Sequence, residues 1–474
     1  MVEKIFTIED QNMFAKLSGD YNPLHVDEIA ARRYLFGGTV VHGIHMALWA
    51  MDEWLKVHPQ PIILKSFKAV FKKNLPVKEK ICIRFIHDEK DRFELELSGQ
   101  GQIYAMIHGQ YSVGSNSSLT GGNLVFPPQE TCTLLCPENI VKEKGQVELF
   151  FGKETAARLL PYVQQYCDPE QIAQILASTR MVGMKCPGLH SIFSELDLSF
   201  EVLNSSDRLF HYQVEAFDDR FSSVEIKVKG PSAEGIVKAF IRPLPIKQTS
   251  FSELRSLVDP FEFKEQRALV IGASRGLGEV SAKLLAAGGA RVMLTYFRGR
   301  EDCAGVVADI KAGQGQAEMS YFNVLSPDET AGNEINQFQP TDIYYFATPH
   351  ITANRNQFSA KLFNKFTEYY VTGFFNTVEL IFKKTISVKK IFYPSSIFVG
   401  DAPLSLGEYS AAKSAAETLC SWMRKIKKNI FIFAPRLPKM ATDQTVTIIP
   451  EDRVDPGPVI LKYLREFESL CLNK

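Results

Sequence analysis

Apolar and polar positions alternate along this chain in three stretches of different rhythm. In the first, an apolar run from Ile44 to Leu55 predicts one buried helix. Residues 62–71, 80–86, 92–97 and 103–111 follow it, rich in β-branched and aromatic side chains, and read as antiparallel strands. Asn74-Leu75-Pro76-Val77 breaks the first two of them, as a proline in a loop does. A Ser, Gly and Asn cluster at 115–123 marks a linker, and beyond it the pattern repeats. A helical stretch at 153–178 leads into four strand-like runs at 191–201, 208–216, 222–229 and 235–242. Residues 243–266 bear prolines and a short amphipathic piece, the composition of a second linker. The third stretch changes rhythm: apolar strand 267–271, glycine-rich turn 272–278, helix 279–287, strand 291–296. Strand and helix in alternation predict a parallel sheet.

A chain of 474 residues exceeds what one hydrophobic core sustains, and the breaks divide it at 1–118, 124–245 and 262–474. Lysines and arginines balance aspartates and glutamates at a net charge of zero, so no basic field argues for nucleic acid. The first five residues lack a signal-peptide pattern, no apolar stretch has the length of a membrane helix, and a cytoplasmic protein is expected. The eight cysteines lie singly apart from Cys132 and Cys136, a pair with no second ligand pair at zinc spacing. Buried reduced thiols and no metal are expected.

The chemistry starts in the stretch from Phe14 to Asp27, FAKLSGDYNPLHVD. Pro23 forces Asn22 out of the α region, so the segment from Asp20 bends or runs extended before His25, and both side chains face one point. Alone, such a pair reads as a capping aspartate and a solvated histidine. Here Val41-His42-Gly43-Ile44-His45 follows and opens the buried helix. Gly43 lets a carbonyl approach the backbone, and the free N–H groups of a helix start supply an oxyanion-type contact.

SGDYNPLHVD followed by FGGTVVHGIHMA resembles the MaoC-type (R)-specific enoyl-thioester hydratases, which use a hot-dog fold. The resemblance implies Asp20 and His25 as an acid/base pair, Asn22 positioning them, Gly43 binding the thioester oxygen, and addition or removal of water at a 2-enoyl thioester. The second repeat carries no such motif and reads as a hot dog that completes the acyl tunnel. His190 within it reads as a satisfied histidine at a strand start.

In the third stretch Gly272-Ala273-Ser274-Arg275-Gly276-Leu277-Gly278 sits between a strand and a helix, the order in which a pyrophosphate rests on a helix N-terminus. No acid ends the next strand, and Arg275 and Arg298 favour a 2′-phosphate, hence NADP(H). Further on, Ser396 ends a strand, and Tyr409 and Lys413 share one helix face; a neighbouring ammonium lowers a phenol's pKa. Together these features resemble the short-chain dehydrogenase/reductase family. That resemblance implies Ser396, Tyr409 and Lys413 as catalytic residues, with Asn323 and Ala347 also near the cofactor. Phe346-Ala347-Thr348-Pro349 and Tyr370 depart from the family's Asn-Asn-Ala-Gly and catalytic Asn.

The fold expected is an α+β double hot dog followed by an α/β Rossmann-type doubly wound parallel sheet. The function expected joins NADPH-dependent reduction of a 3-oxoacyl thioester to reversible dehydration of the (R)-3-hydroxyacyl product, on coenzyme A or acyl carrier protein, in a homodimer. Two alternatives stand beside it: a hydratase whose reductase domain only scaffolds, and a non-catalytic thioester or carrier-binding protein.

Overall fold

Along Ile62–Phe71 and Ser223–Lys229 alternate side chains are buried, which turns one face of each strand onto a core and leaves the other in water. In the computed structural model, which describes residues 2–89, 91–114, 129–135, 137–201, 208–354, 357–447 and 454–472, ten such strands form one antiparallel sheet. They are β1 (Val2–Ile5), β2 (Ile62–Phe71), β3 (Lys80–Glu89), β4 (Arg92–Gly99), β5 (Gln102–Val113), β6 (Lys144–Glu148), β7 (Ser191–Phe200), β8 (Leu209–Asp218), β9 (Ser223–Lys229) and β10 (Ala233–Ile241). Their order is β1-β3-β4-β5-β2-β7-β10-β9-β8-β6. Read inward from either edge, each half runs first, third, fourth, fifth, second, so the halves share one topology and meet where β2 pairs with β7. This is the hot-dog sheet twice over. The linker expected at 115–123 lies outside the described residues.

The apolar run at 44–55 becomes the helix Gly43–Val57, buried without a break from Ile44 to Asp52. Its Asp52, 4% exposed, accepts hydrogen bonds from the amides of Tyr162 and Val163 (2.8 Å each) and so caps a helix of the second half. The single helical stretch expected at 153–178 is three helices, Lys153–Leu159, Pro161–Tyr166 and Pro169–Arg180. Each proline opens a new helix, where its missing N–H costs nothing. Strands β1 and β6 went unpredicted because VEKI and KGQVE are short, polar edge segments.

A second compact unit runs from Ile246 onward. Its strands β11 (Arg267–Ile271), β12 (Arg291–Tyr296), β13 (Gln316–Tyr321), β14 (Asp342–Tyr345) and β15 (Lys390–Phe392) are followed by β16 (Ser395–Ser396), β17 (Phe431–Phe433) and β18 (Arg436–Leu437). Six are parallel in the order β13-β12-β11-β14-β15-β17; β16 pairs with β18. Helices Gly276–Ala287, Arg300–Ala312 and Pro456–Leu472 contribute to one apolar cluster, and Glu329–Phe338, Phe374–Lys384 and Gly407–Ile426 to another. The sheet is therefore doubly wound, and chain direction across it reverses between β11 and β14, where such folds open a crevice. Among the described residues no helix is long and apolar enough to cross a membrane.

Candidate active sites

Helix Ile8–Ser18 ends because Gly19 takes φ 78°, a left-handed conformation that glycine adopts without steric cost. That turn delivers Asp20 into the interior, where it is 2% exposed. Its Oδ2 accepts from Thr179 Oγ1 (2.7 Å) and its Oδ1 from the amide of Asn22 (3.2 Å). Gly183 lies directly against the carboxylate: a Cβ there would stand 2.2 Å from Oδ1. Asn22, with φ -55° and ψ 126°, stays out of the α region as the proline dictates, and its side chain accepts from Leu24 N (3.0 Å). Its Nδ2 lies within bonding reach of the carbonyls of Gly183 (3.0 Å), Leu189 (3.2 Å) and Gly188 (3.3 Å). The second hot dog therefore builds the back wall of this site. His25 follows the non-helical segment 20–22 and sits in the one-turn helix Pro23–Val26 that Asn22 caps.

Nδ1 of His25 lies 2.8 Å from the Val40 carbonyl. A carbonyl can only accept, so Nδ1 carries the proton and Nε2 keeps its lone pair. His42, 0% exposed, stacks on this ring with centroids 3.9 Å apart and bonds the Asp20 carbonyl through Nε2 (3.1 Å). Carboxylate and ring-nitrogen atoms of Asp20, His25 and His42 all lie within 4.8 Å of one another. The two residues singled out in sequence thus converge. His42 joins them, and its only signal was its place beside Gly43.

Burial raises Asp20 to about 6, against the hydrogen bonds of Thr179 and Asn22. Burial also lowers His25 to about 4, with the Val40 bond opposing and the Arg242 charge adding. Between those values the carboxyl holds a proton while the imidazole is free, which sets an acid beside a base. Gly43 opens the central helix with no side-chain cap on its first turn. The close approach expected there is made by Phe71, whose ring would stand 2.9 Å from a Cβ at that position.

In the second unit Gly272 has φ 79°, and a Cβ on it would meet the Ala347 amide nitrogen at 2.8 Å, at the end of β14. A Cβ on Gly278 would strike the Gly272 carbonyl at 2.3 Å, so the turn admits no bulk at either place. Gly276, with φ 63°, has no neighbour nearer than 3.9 Å to such an atom and opens helix Gly276–Ala287 without a side-chain cap. Ser274 and Leu277 share this partly exposed turn. Arg275 pairs with Asp443 at 3.4 Å, Arg298 is exposed and lies over Phe297, and Asn323 Oδ1 accepts from Leu325 N (3.1 Å).

Ser396, Tyr409 and Lys413 are all buried, and the Tyr409 hydroxyl bonds Ser396. At Tyr409 burial outweighs the acidification expected from Lys413. Burial pushes Tyr409 up to about 12, with only the Ser396 bond opposing. The lysine itself is lowered by burial to about 7; its Nζ donates to the Pro394 carbonyl (2.7 Å) and lies over the rings of Tyr370 (4.1 Å) and Tyr393 (4.9 Å).

Two family models match the chain: that of the MaoC-like domain over residues 3–102, and that of the short chain dehydrogenase over residues 266–444. The chain is a MaoC-like domain fused to a short-chain dehydrogenase domain. A 3-oxoacyl-[acyl-carrier-protein] reductase of Synechocystis sp. is 44% identical over 64 residues, 14% of this chain and 26% of that protein. The match thus spans about a quarter of that curated relative's length. Among solved structures, a dehydrogenase/reductase from Sinorhizobium meliloti is 19% identical, covers 45% of this chain and 90% of its own, and gives a TM-score of 0.37. A short chain dehydrogenase from Burkholderia cenocepacia in complex with NADP is 19% identical over 43% of this chain and 91% of its own, with a TM-score of 0.36.

Within the short-chain dehydrogenase domain, Tyr370 stands in the π-helical turn Glu368–Gly373, whose carbonyls at Tyr369 and Tyr370 accept from the hydroxyls of Tyr345 (2.6 Å) and Tyr393 (3.2 Å). Its own hydroxyl bonds Thr348 Oγ1 at 2.6 Å. The two departures noted in sequence are therefore joined to each other, and the Tyr370 ring covers Lys413. In the MaoC-like site the residues that sequence reading missed, Thr179 and Gly183, come from a helix and a π-turn with no motif of their own.

Proposed function

We propose that this chain is a bifunctional acyl-thioester enzyme. Its short-chain dehydrogenase domain reduces a 3-oxoacyl thioester with NADPH to the (R)-3-hydroxyacyl thioester, and its MaoC-like domain reversibly dehydrates that product to the trans-2-enoyl thioester. The observation that carries the reading is the convergence of a raised carboxyl and a free imidazole nitrogen, Asp20 and His25, within 4.8 Å. In dehydration His25 Nε2 takes the C2 proton, the electron pair becomes the C2–C3 double bond, and the C3 hydroxyl leaves as water with the Asp20 proton. Thr179 and Asn22 hold the carboxyl in place, and the amides at the Gly43 end of the central helix steady charge on the thioester oxygen.

In reduction Tyr409, protonated up to about 12, has the proton that the alkoxide at C3 requires, and Ser396 orients its hydroxyl. When bound, NADPH would supply the hydride. The glycine turn fits such a group: Gly272, Ser274, Arg275, Gly276, Leu277 and Gly278 would hold the pyrophosphate at a helix start that carries no cap. Arg275 and Arg298 would face the 2′-phosphate, Asn323 the adenine, Ala347 the nearby strand end, and Lys413 the ribose. The carrier is coenzyme A or acyl carrier protein; a homodimer through the reductase domain and a cytoplasmic location complete the proposal. Fusion raises the local concentration of the shared intermediate.

The second reading, a hydratase with a scaffolding reductase domain, is favoured by one observation, the enclosure of Lys413 between Tyr370 and Tyr393. Acetoacetyl thioester with NADPH separates the two. Oxidation of NADPH with formation of both 3-hydroxybutanoyl and crotonyl thioesters supports the bifunctional enzyme. Hydration of crotonyl thioester without any NADPH oxidation supports the second reading.

Two further outcomes follow from the MaoC-like site. The pH profile of kcat/KM for dehydration is expected to be bell-shaped, rising as the His25–Asp20 pair loses its first proton near pH 4 and falling as it loses the second near pH 6. A profile flat from pH 4 to 8 would remove the pair from the chemistry. Gly183→Ala drives a methyl into the Asp20 carboxylate and is expected to cut hydration about 10²-fold, since displacement of a reacting group by about an ångström costs that much. Steady-state kinetics on crotonyl thioester reads the effect, and reductase activity serves as the internal control.

A further inference from the structure

The MaoC-like unit buries a cation beside its proton-transfer pair and leaves it short of partners. Arg242 follows β10 directly, is 1% exposed, and lies over Tyr34 with its guanidinium carbon 3.6 Å from the ring centroid. Its Nη2 donates to the Leu189 carbonyl, which lies 3.2 Å from Asn22 Nδ2. One acceptor therefore links the guanidinium to the loop that carries Asp20 and His25. Nε and Nη1 of Arg242 have no hydrogen-bond partner. Tyr34 acts on the guanidinium through a side-chain hydrogen bond as well as its charge, Cys132 acts through its charge, and neither is a carboxylate.

His190 stands next to it. The end of β10 pairs with the start of β7, so the Arg242 amide donates to the His190 carbonyl at 2.7 Å. The His190 ring is 7% exposed, edge-on to Tyr34 at 6.2 Å, and its Nδ1 has no partner. It is thus not the satisfied histidine its position suggested. Two side chains of the second hot dog, both more than nine-tenths buried, keep unused hydrogen-bonding capacity around one tyrosine of the first. A guanidinium held in the interior without a counter-ion is unfavourable, and an anionic ligand removes that penalty.

The Gly43 end of the central helix already offers neutral amides to a thioester oxygen, which needs no full positive charge. Next to the thioester the carrier's pantetheine arm is neutral, so a negative charge close to C3 falls on the acyl chain. We propose that Arg242, with His190 beside it, recognises a carboxylate on that chain, so the MaoC-like site takes the monothioester of a dicarboxylic acid in preference to a plain alkyl thioester. The proposal rests on the hydratase reading above. It also gives the second hot dog, which lacks the acid/base motif, a specificity role.

The test compares hydration of trans-2-pentenedioyl monothioester and trans-2-pentenoyl thioester by the full chain and by Arg242→Met and Arg242→Lys. The wild type is expected to favour the dicarboxylic substrate by at least about tenfold in kcat/KM, a modest yield for one charge-assisted pair. Arg242→Met is expected to abolish that preference, read as the ratio of kcat/KM for the two substrates, so that a common effect on the His25–Asp20 pair cancels. If Arg242→Met does not fold, Arg242→Lys decides: the ratio of kcat/KM for the dicarboxylic over the pentenoyl substrate falls, since an ammonium lacks the guanidinium's paired donors. A wild type that favours the pentenoyl thioester, or a preference that survives in the variants, overturns the proposal and leaves the hydratase reading standing. Hydration of neither substrate takes both down.

Discussion

Asp20→Asn is expected to reduce hydration of a trans-2-enoyl thioester by about 10²–10⁴-fold while NADPH-dependent reduction continues. The amide keeps the size of the carboxyl and can still bond Thr179, but it cannot carry the proton that the C3 hydroxyl needs on leaving. The same substitution is expected to stabilise the MaoC-like unit at neutral pH, which separates lost chemistry from lost folding. The sign follows from linkage. Asp20 titrates near 6 in the folded chain, above its ordinary value, so above pH 6 the ionised group costs stability. Asn removes that cost, of order 1–3 kcal/mol, and the gain disappears as pH falls toward 4 and the wild-type carboxyl protonates. Urea midpoints of wild type and variant at pH 7.5 and pH 4 check it. A variant that loses hydration and also unfolds more easily at pH 7.5 would mean that the carboxylate is structural.

Tyr409→Phe is the second large effect. It is expected to lower reduction of an acetoacetyl thioester by about 10²–10⁴-fold and leave hydration of crotonyl thioester untouched. The phenol has one polar partner of consequence, Ser396, and packs edge-on against Phe366 and Tyr370 at 5.7 Å each. Phenylalanine fills the same space, so fold and cofactor site are expected to persist, which quenching of protein fluorescence by NADPH reads independently. Reduction that continues in the phenylalanine variant would hand the proton to another group. Thr348 with Tyr370, bonded at 2.6 Å, is the nearest candidate for that role.

Much of this was legible along the chain, and the parts that were not have physical reasons. Strong local patterns translated directly: the apolar run became the central helix, Pro23 kept Asn22 out of the α region, and Gly272 and Gly278 occupy places where a Cβ would collide. The repeat of strands in two halves was visible as rhythm, although the short polar edges β1 and β6 carried too little apolar signal to declare themselves. What escaped was long-range. Thr179 and Gly183 reach Asp20 from about 160 residues away, and Arg242 reaches the Asn22 loop through a shared carbonyl; no local spacing encodes such meetings. Electrostatics escaped in the same way. Tyr409 and Lys413 look in sequence like a phenol acidified by its neighbour, yet burial moves the phenol up and the lysine down.

The MaoC-like centre is a joint product of the halves: the first brings Asp20 and His25, the proposed acid/base pair, and the second brings the surfaces that hold them and, with Arg242, the cation beside them. The measurement that tests this account most directly is hydration of crotonyl thioester by the full chain, with the product resolved by chiral chromatography, in wild type, Asp20→Asn and His25→Ala. The account predicts (R)-3-hydroxybutanoyl thioester from the wild type and loss of its formation in both variants. Hydration that is absent in the wild type, or that proceeds unchanged in either variant, would contradict it.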